Sequence, residues 1–290
     1  MSWRIIEVTG IAKLELRTGY MVIRKEETTK VHLSEISTII ISSTQVSVTT
    51  SLLCELTRRK IKVIFCDETR NPISELIGYY GSHDSTIKIK QQMSWNKNTK
   101  GEIWTEIVSD KIRQQAYVLE AEGHSEHEKL EEYVKQIEFY DATNREGHAA
   151  KVYFNALFGM DFTRTADNYI NAALNYGYGI LLSAFNREIV ASGYLTQLGL
   201  FHDNQYNYFN FGSDLMEPFR PIIDQYVCEN IPEKFEHEEK IEIVNLLNSS
   251  VYIDDKRQFV NNAIKIYCRS IFDALDKNDV SLIKFYKNEL

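Results

Sequence analysis

Four side chains in the second half of the sequence have the types and spacing that acid and metal chemistry requires: Glu146, His202, Asp214 and Glu217. Asp214 and Glu217 stand three residues apart in Gly212-Ser213-Asp214-Leu215-Met216-Glu217-Pro218. On a helix that spacing puts both carboxylates on one face, one turn apart. Glu146 is followed by Gly147, Ala149 and Ala150, small residues that let another backbone approach. His202 follows Leu198-Gly199-Leu200-Phe201, where a connection leaves an apolar stretch. Two or three carboxylates and one imidazole from separated segments suit a hard divalent cation, Mg²⁺ or Mn²⁺, better than zinc. Taken singly, each residue also has an ordinary explanation. Glu146 fits a solvated helix face, His202 a structural histidine, and Asp214 and Glu217 first-turn carboxylates that complement a helix dipole.

The elements that must position these groups are legible from periodicity. Ile5–Val8, Lys13–Arg17, Tyr20–Arg24, Lys30–Leu33 and Ile36–Ile41 alternate or are β-branched, as strands require. A helix is predicted over Val48–Arg59, and a buried strand over Lys62–Cys66. From about Ser85 the pattern changes to helical periods, over 85–97, 101–121, 126–139, 143–158, 167–191, 212–229, 238–248 and 255–276. Thr165 or Asp167 is placed to cap the helix that runs to 191. The polar stretch Gly81-Ser82-His83-Asp84 marks a boundary. The expected fold is α+β: a small β-rich domain over 1–83 and a larger all-α catalytic domain over 84–290.

Composition narrows the class. The chain of 290 residues is 43% hydrophobic and 26% charged, ordinary for a globular protein. No apolar run reaches the roughly 20 residues that span a bilayer, and the start Met1-Ser2-Trp3-Arg4 shows no secretory leader, so a cytoplasmic protein without a membrane role is expected. The four cysteines form no CxxC pair, so reduced thiols are expected rather than structural zinc. The net charge of −8 has the wrong sign for a simple nucleic-acid binder. It is uneven, however: residues 1–120 carry 17 basic and 14 acidic side chains, and residues 121–142 carry 2 and 7. Any nucleic-acid contact must therefore use local basic patches, and the acidic stretch faces water or a protein partner. His124 and His127, and likewise His237, lie in Glu-rich tracts that read as solvated charge. No glycine-rich phosphate loop occurs, which leaves an ATPase without support.

Longer motifs surround the four residues. Glu146-Gly147-His148-Ala149-Ala150-Lys151-Val152-Tyr153-Phe154 matches the pattern E-G-x-x-A-x-x-Y-F. Asn171-Ala172-Ala173-Leu174-Asn175-Tyr176-Gly177-Tyr178 resembles N-A-x-L-N-Y-G-Y behind an aspartate, here Asp167. Gly199-Leu200-Phe201-His202 resembles G-x-x-H, and Asp214 to Pro221 matches D-L-M-E-P-F-R-P. In this order the four motifs resemble the CRISPR-associated endonuclease-integrase of spacer acquisition (CRISPR-associated protein 1), and the helical part looks similar to versions from type II systems. One departure is Asn168 after Asp167, where members often carry proline.

The resemblance implies that Glu146, His202 and Glu217 are the catalytic residues and bind the metal, with Asp214, Asn171, Tyr176 and Arg220 in the same pocket. It implies a DNA integrase of CRISPR adaptation that joins the 3′-hydroxyl ends of short fragments to the repeat. It also implies double-stranded DNA as substrate, a homodimer whose β-rich domain makes dimer and partner contacts, and a small second adaptation protein bridging two dimers. Further acquisition proteins and the effector nuclease would select the fragment. Phosphate contacts are expected from Arg58, Arg59, Lys60 and Lys62, from Lys88, Lys90, Lys97 and Lys100, and from Arg164. Two other readings stand beside it: a general metal-dependent nuclease or junction resolvase, and a non-catalytic DNA-architectural protein.

Overall fold

The computed structural model describes residues 4–68, 70, 72–79, 82 and 84–288. The chain divides into two compact units, Met1–Ser85 with Val190–Gly193, and Thr86–Ile189 with Tyr194–Leu290. Gly81 and His83 of the boundary stretch lie outside the described residues.

The first unit holds two sheets. Strands β1 (Arg4–Val8), β5 (Ile36–Ile41), β7 (Lys62–Cys66) and β8 (Pro72–Glu75) form one in the order β1-β5-β7-β8, parallel except for β8. Strands β2 (Ala12–Arg17), β3 (Tyr20–Arg24), β4 (Thr28–His32) and β6 (Val46–Val48) form the other in the order β4-β3-β2-β6. Every residue of β5 is buried, as expected of a central strand in a parallel array covered on both faces. One core draws on both sheets and on helix α1 (Thr50–Arg58), through Val8, Leu14, Met21, Ile39, Leu52, Leu56 and Val63. The ion pair of Lys62 and Glu75 is buried in the β7–β8 ladder. That removes Lys62 from the surface basic patch in which the sequence placed it.

The second unit is helical: α2 (Ser85–Ser94), α3 (Lys97–Ala121), α4 (His127–Lys135), α5 (Arg145–Phe158), α6 (Tyr169–Ala191), α7 (Asn210–Leu215), α8 (Arg220–Glu229), α9 (His237–Asn245) and α10 (Val260–Lys277). The 25-residue α3 is its spine and packs on α4, α5, α8 and α10. The helix expected over 126–139 stops at Lys135, ahead of a 3-10 turn over Phe139–Asp141, and other elements also differ from expectation. The segment predicted as one helix over 212–229 breaks into α7, a 3-10 turn over Glu217–Phe219, and α8. Pro218 and Pro221 withhold the N–H groups that a continuous ladder needs. The start of the segment predicted over 255–276 is instead strand β10 (Lys256–Phe259), which pairs with β9 (Ser250–Ile253), so this unit carries a hairpin beside its helices. Helix α6 is capped by Asn168, whose Oδ1 accepts from Asn171 N at 2.8 Å, rather than by Thr165 or Asp167. No helix among the described residues is long and apolar enough to cross a membrane. Cys54 is exposed, Cys66 and Cys268 are buried, and all four cysteines are thiols.

α3 carries a carboxylate in an apolar setting. Asp110 is 6% exposed, and burial pushes its pKa up to about 7, against the opposing hydrogen bond from Gln114 and the charge of Arg113. Unfolded, the group ionises near 3.8. Between those values the native chain keeps a proton that the unfolded chain releases, so stability falls as pH rises from about 4 to about 7. Asp110→Asn keeps an acceptor for Gln114 and removes the dependence. It is expected to stabilise the protein by up to about 4 kcal/mol at alkaline pH and by almost nothing near pH 4. Thermal melts of both proteins across that range measure the gap, and a gap independent of pH would contradict the argument.

Candidate active site

Glu146 lies in the first turn of α5, and the preceding turn sets its place. Asn144 accepts from Gly147 N at 3.3 Å, and Asp141 accepts from Arg145 N at 2.7 Å and from Glu146 N at 3.0 Å. The helix start is thus capped by neighbours, and the Glu146 carboxylate is left to face α3. There Lys111 Nζ lies 2.5 Å from Glu146 Oε1 and 2.6 Å from Glu217 Oε2. The two carboxylates, 71 positions apart in sequence, can be no farther apart than those two distances together. Glu217 is 2% exposed and pairs through its other oxygen with Arg220 at 2.9 Å. Burial opposes its ionisation, but the charges of Arg220 and Lys111 prevail and hold its pKa below the usual carboxylate value.

His202 sits in the irregular connection between α6 and α7, and Asp214 orients it. Asp214 is fully buried, and it accepts from Leu200 N at 2.5 Å, Phe201 N at 3.1 Å and His202 N at 3.1 Å. Its Oδ1 also lies 2.6 Å from His202 Nδ1. The ring edge bearing Nδ1 is therefore engaged, and Nε2 is the nitrogen left for a ligand or a proton. The bond to Asp214 raises the pKa of His202 against partial burial, helped by the charges of Glu217 and Glu146. The ring also meets Trp104 edge-on at 5.8 Å. Trp104 and Lys111 are seven residues apart on α3, two turns along one face, so a single helix backs both the imidazole and the carboxylate pair. Gly199 makes the loop possible: a Cβ there would stand 2.5 Å from His202 O and 2.6 Å from Asp214 Oδ2.

Asp214 and Glu217, expected on one helical face, diverge at the break before Pro218. One anchors the histidine loop, and the other joins Lys111 and Arg220. The remaining pocket candidates do different work. Asn171 is buried and ties down the preceding turn through Thr163 O and Ala166 O, both at 2.8 Å. The ring of Tyr176 packs on Phe235 at 5.7 Å and lies under the ammonium of Lys240. Arg220 stacks over Tyr178 at 4.8 Å while holding Glu217.

Most of the expected phosphate contacts already have partners. Arg58 and Arg59 pair with Glu55, Lys60 donates to Ala191 O at 3.0 Å, and Lys88 pairs with Asp276 at 3.0 Å. Arg164 bonds to Asn171 and Asn175. Lys90 is exposed on α2. Exposed pairs such as those of Arg58 and Arg59 are weak because water screens them, so phosphate can displace them. Sequence reasoning missed Lys111 and Asp141. Their signals were a charged Asp110-Lys111 pair between the apolar Ile107-Val108 and Ile112, and capping-type residues just ahead of Glu146.

Among the described residues, no three His, Cys, Asp or Glu side chains stand together as a ready metal cage. The donor chemistry nevertheless fits a hard cation. Two carboxylates converge on one positive charge, and Glu217 Oε2, although 2.6 Å from the Lys111 ammonium, has no hydrogen bond of acceptable geometry. The imidazole beside them presents Nε2.

These features agree with comparisons to known proteins. The profile of the family described as CRISPR associated protein Cas1 matches residues 8–258, and the chain belongs to that family. It is 35% identical over 226 residues to the CRISPR-associated endonuclease Cas1 of Neisseria meningitidis serogroup C, covering 77% of this chain and 74% of the relative. Among solved structures, a casposase bound to integration product superposes with a TM-score of 0.77 at 18% identity, over 96% of this chain and 91% of that one. A Cas6-RT-Cas1--Cas2 complex superposes with a TM-score of 0.73 at 16% identity, over 99% of this chain and 36% of that one.

Proposed function

We propose that the protein is a metal-dependent DNA endonuclease and integrase of CRISPR adaptation, acting through Glu146, His202 and Glu217. The observation that carries this reading is the meeting of Glu146 and Glu217 on one cationic centre, with an imidazole fixed by Asp214 close enough for the charges of both glutamates to raise its pKa. In the reaction, the 3′-hydroxyl of a short fragment gives up its proton to solvent as its oxygen forms a bond to a repeat phosphorus. The bond from that phosphorus to its own 3′-oxygen breaks, and the departing oxygen takes a proton. Mg²⁺ or Mn²⁺ bound by the two glutamates and the histidine would lower the pKa of the attacking hydroxyl and neutralise charge on the phosphoryl oxygens. The chain's own groups do the rest. Arg220 and Lys111 keep Glu217 ionised, Asp214 orients the imidazole, and the cap at Asp141 aims Glu146. No serine or cysteine nucleophile is required, since positioning and electrostatics supply most of the rate in such transfers.

The same reading takes double-stranded DNA as substrate, two copies of the chain as the working unit, and a small second adaptation protein bridging two dimers. The Cas1–Cas2 assembly among the structural relatives supports that partner. Other acquisition proteins and the effector nuclease are placed as suppliers of the fragment, and a cytoplasmic location follows from the substrate. Fragments with dideoxy 3′ ends test the nucleophile. Joining to a repeat-bearing duplex is expected to vanish while metal-dependent cutting persists. Joining that survives the block would overturn the proposed chemistry, and cutting without joining even by unblocked fragments would favour a nuclease that uses water.

A further inference from the structure

The turn that delivers Glu146 contains a residue in a conformation that needs an explanation. Tyr140, Asp141 and Asn144 have φ of 64°, 51° and 53°. Aspartate and asparagine tolerate that left-handed region, whereas a tyrosine there is strained and persists only where its surroundings over-determine it. They do so here. Tyr140 N donates to Thr105 Oγ1 at 2.8 Å, and that hydroxyl in turn donates to Gly101 O at 2.8 Å. The ring lies against α3 at Gly101, where a Cβ would stand 2.6 Å from Tyr140 Cδ2. The phenol donates to Leu200 O at 2.7 Å.

Two lines run from this residue to the site. Along the chain, the next residue is Asp141, which caps the N–H of Glu146. Through the side chain, Tyr140 grips the carbonyl of Leu200, whose own N–H is held by Asp214, two residues before His202. We propose that Tyr140 is a positioning residue that sets Glu146 and His202 at a fixed separation. It acts through Asp141 and Leu200 rather than on DNA. This inference deepens the metal-dependent reading and rests on it.

The test is Mn²⁺ affinity, measured by paramagnetic titration on the full chain, together with joining kinetics. Tyr140→Phe keeps the ring and loses only the bond to Leu200. It is expected to weaken Mn²⁺ binding by about tenfold, as losses beside metal ligands do, and to lower kcat with it, leaving KM for DNA and the melting temperature near those of the parent. Thr105→Val removes the acceptor at the other end of the strut and is expected to shift both quantities in the same direction. Unchanged Mn²⁺ affinity in both variants would overturn the inference while leaving the metal reading intact. So would a loss of affinity that merely follows a fall in melting temperature. A parent protein that takes up no Mn²⁺ would overturn the metal reading and this inference together.

Discussion

Glu146→Ala will abolish strand joining and leave the protein folded. The carboxylate is partly exposed and bonds to Lys111, while the start of α5 is capped by Asp141 and Asn144. Removing it therefore costs no helix cap, and Lys111 keeps its second partner in Glu217. What is lost is one negative charge at Lys111, the charge that on the proposed reading would help hold the divalent ion. We expect joining to fall by roughly three orders of magnitude or more, with a melting temperature close to that of the parent. Glu217→Ala makes the contrast. It strips Arg220 of the carboxylate it pairs with while Lys111 keeps only Glu146, and breaking a buried pair from one side costs about 3–5 kcal/mol. Parallel joining assays and melts of the two variants separate chemistry from folding. Persistent joining by Glu146→Ala, or a collapse of its melting temperature, would refute the assignment.

Asp214→Asn, although isosteric, is expected to be the more damaging change to structure. The aspartate accepts from three consecutive backbone N–H groups and from the imidazole, at zero exposure. An amide in its place turns N–H groups toward N–H groups, and burying those unmet donors costs about 3–5 kcal/mol. The histidine loop then loses its anchor, and Mn²⁺ affinity is expected to drop by about ten- to a hundredfold. His202→Ala supplies the comparison, since its side chain is 40% exposed and its loss removes the proposed ligand while leaving the backbone bonds from Asp214 to the loop in place. An Asp214→Asn protein that melts with His202→Ala and retains the parent's Mn²⁺ affinity would show that Asp214 does not hold the loop.

What the sequence made legible follows from the range of the physics involved. Strands β2, β3 and β5 and helices α3, α5 and α6 carry strong local periods, and they lie within a few residues of expectation. The break at Glu217–Phe219 is written locally in Pro218 and Pro221, but the helical pattern on either side masks it. Strand β10 has no such signal, because its residues Lys256-Arg257-Gln258-Phe259 become a strand only through pairing with β9. At the site, the residue types at 146, 202, 214 and 217 and their motifs marked the place. Their division of labour was not visible. Asp214 turns back to backbone N–H groups 12 to 14 residues earlier, and although Arg220 at i+3 lay within a local rule, no spacing rule reaches from Lys111 to Glu217. The same distance dependence explains the basic candidates. Lys88 reads as open charge until Asp276, 188 residues further on, is seen against it.

Lys111 gives the helical unit a built-in counter-ion. Two acidic groups drawn this close would otherwise push the unit apart, and a tethered ammonium cancels that repulsion from within. Assembly of the centre is thereby uncoupled from the ionic medium. A chelator that stops the chemistry should leave the unit's cohesion untouched, and a divalent ion would enter by exchange against a cation that never diffuses away. Occupancy would then rise and fall with the surrounding ion concentration, as a reversible setting on a scaffold already in place.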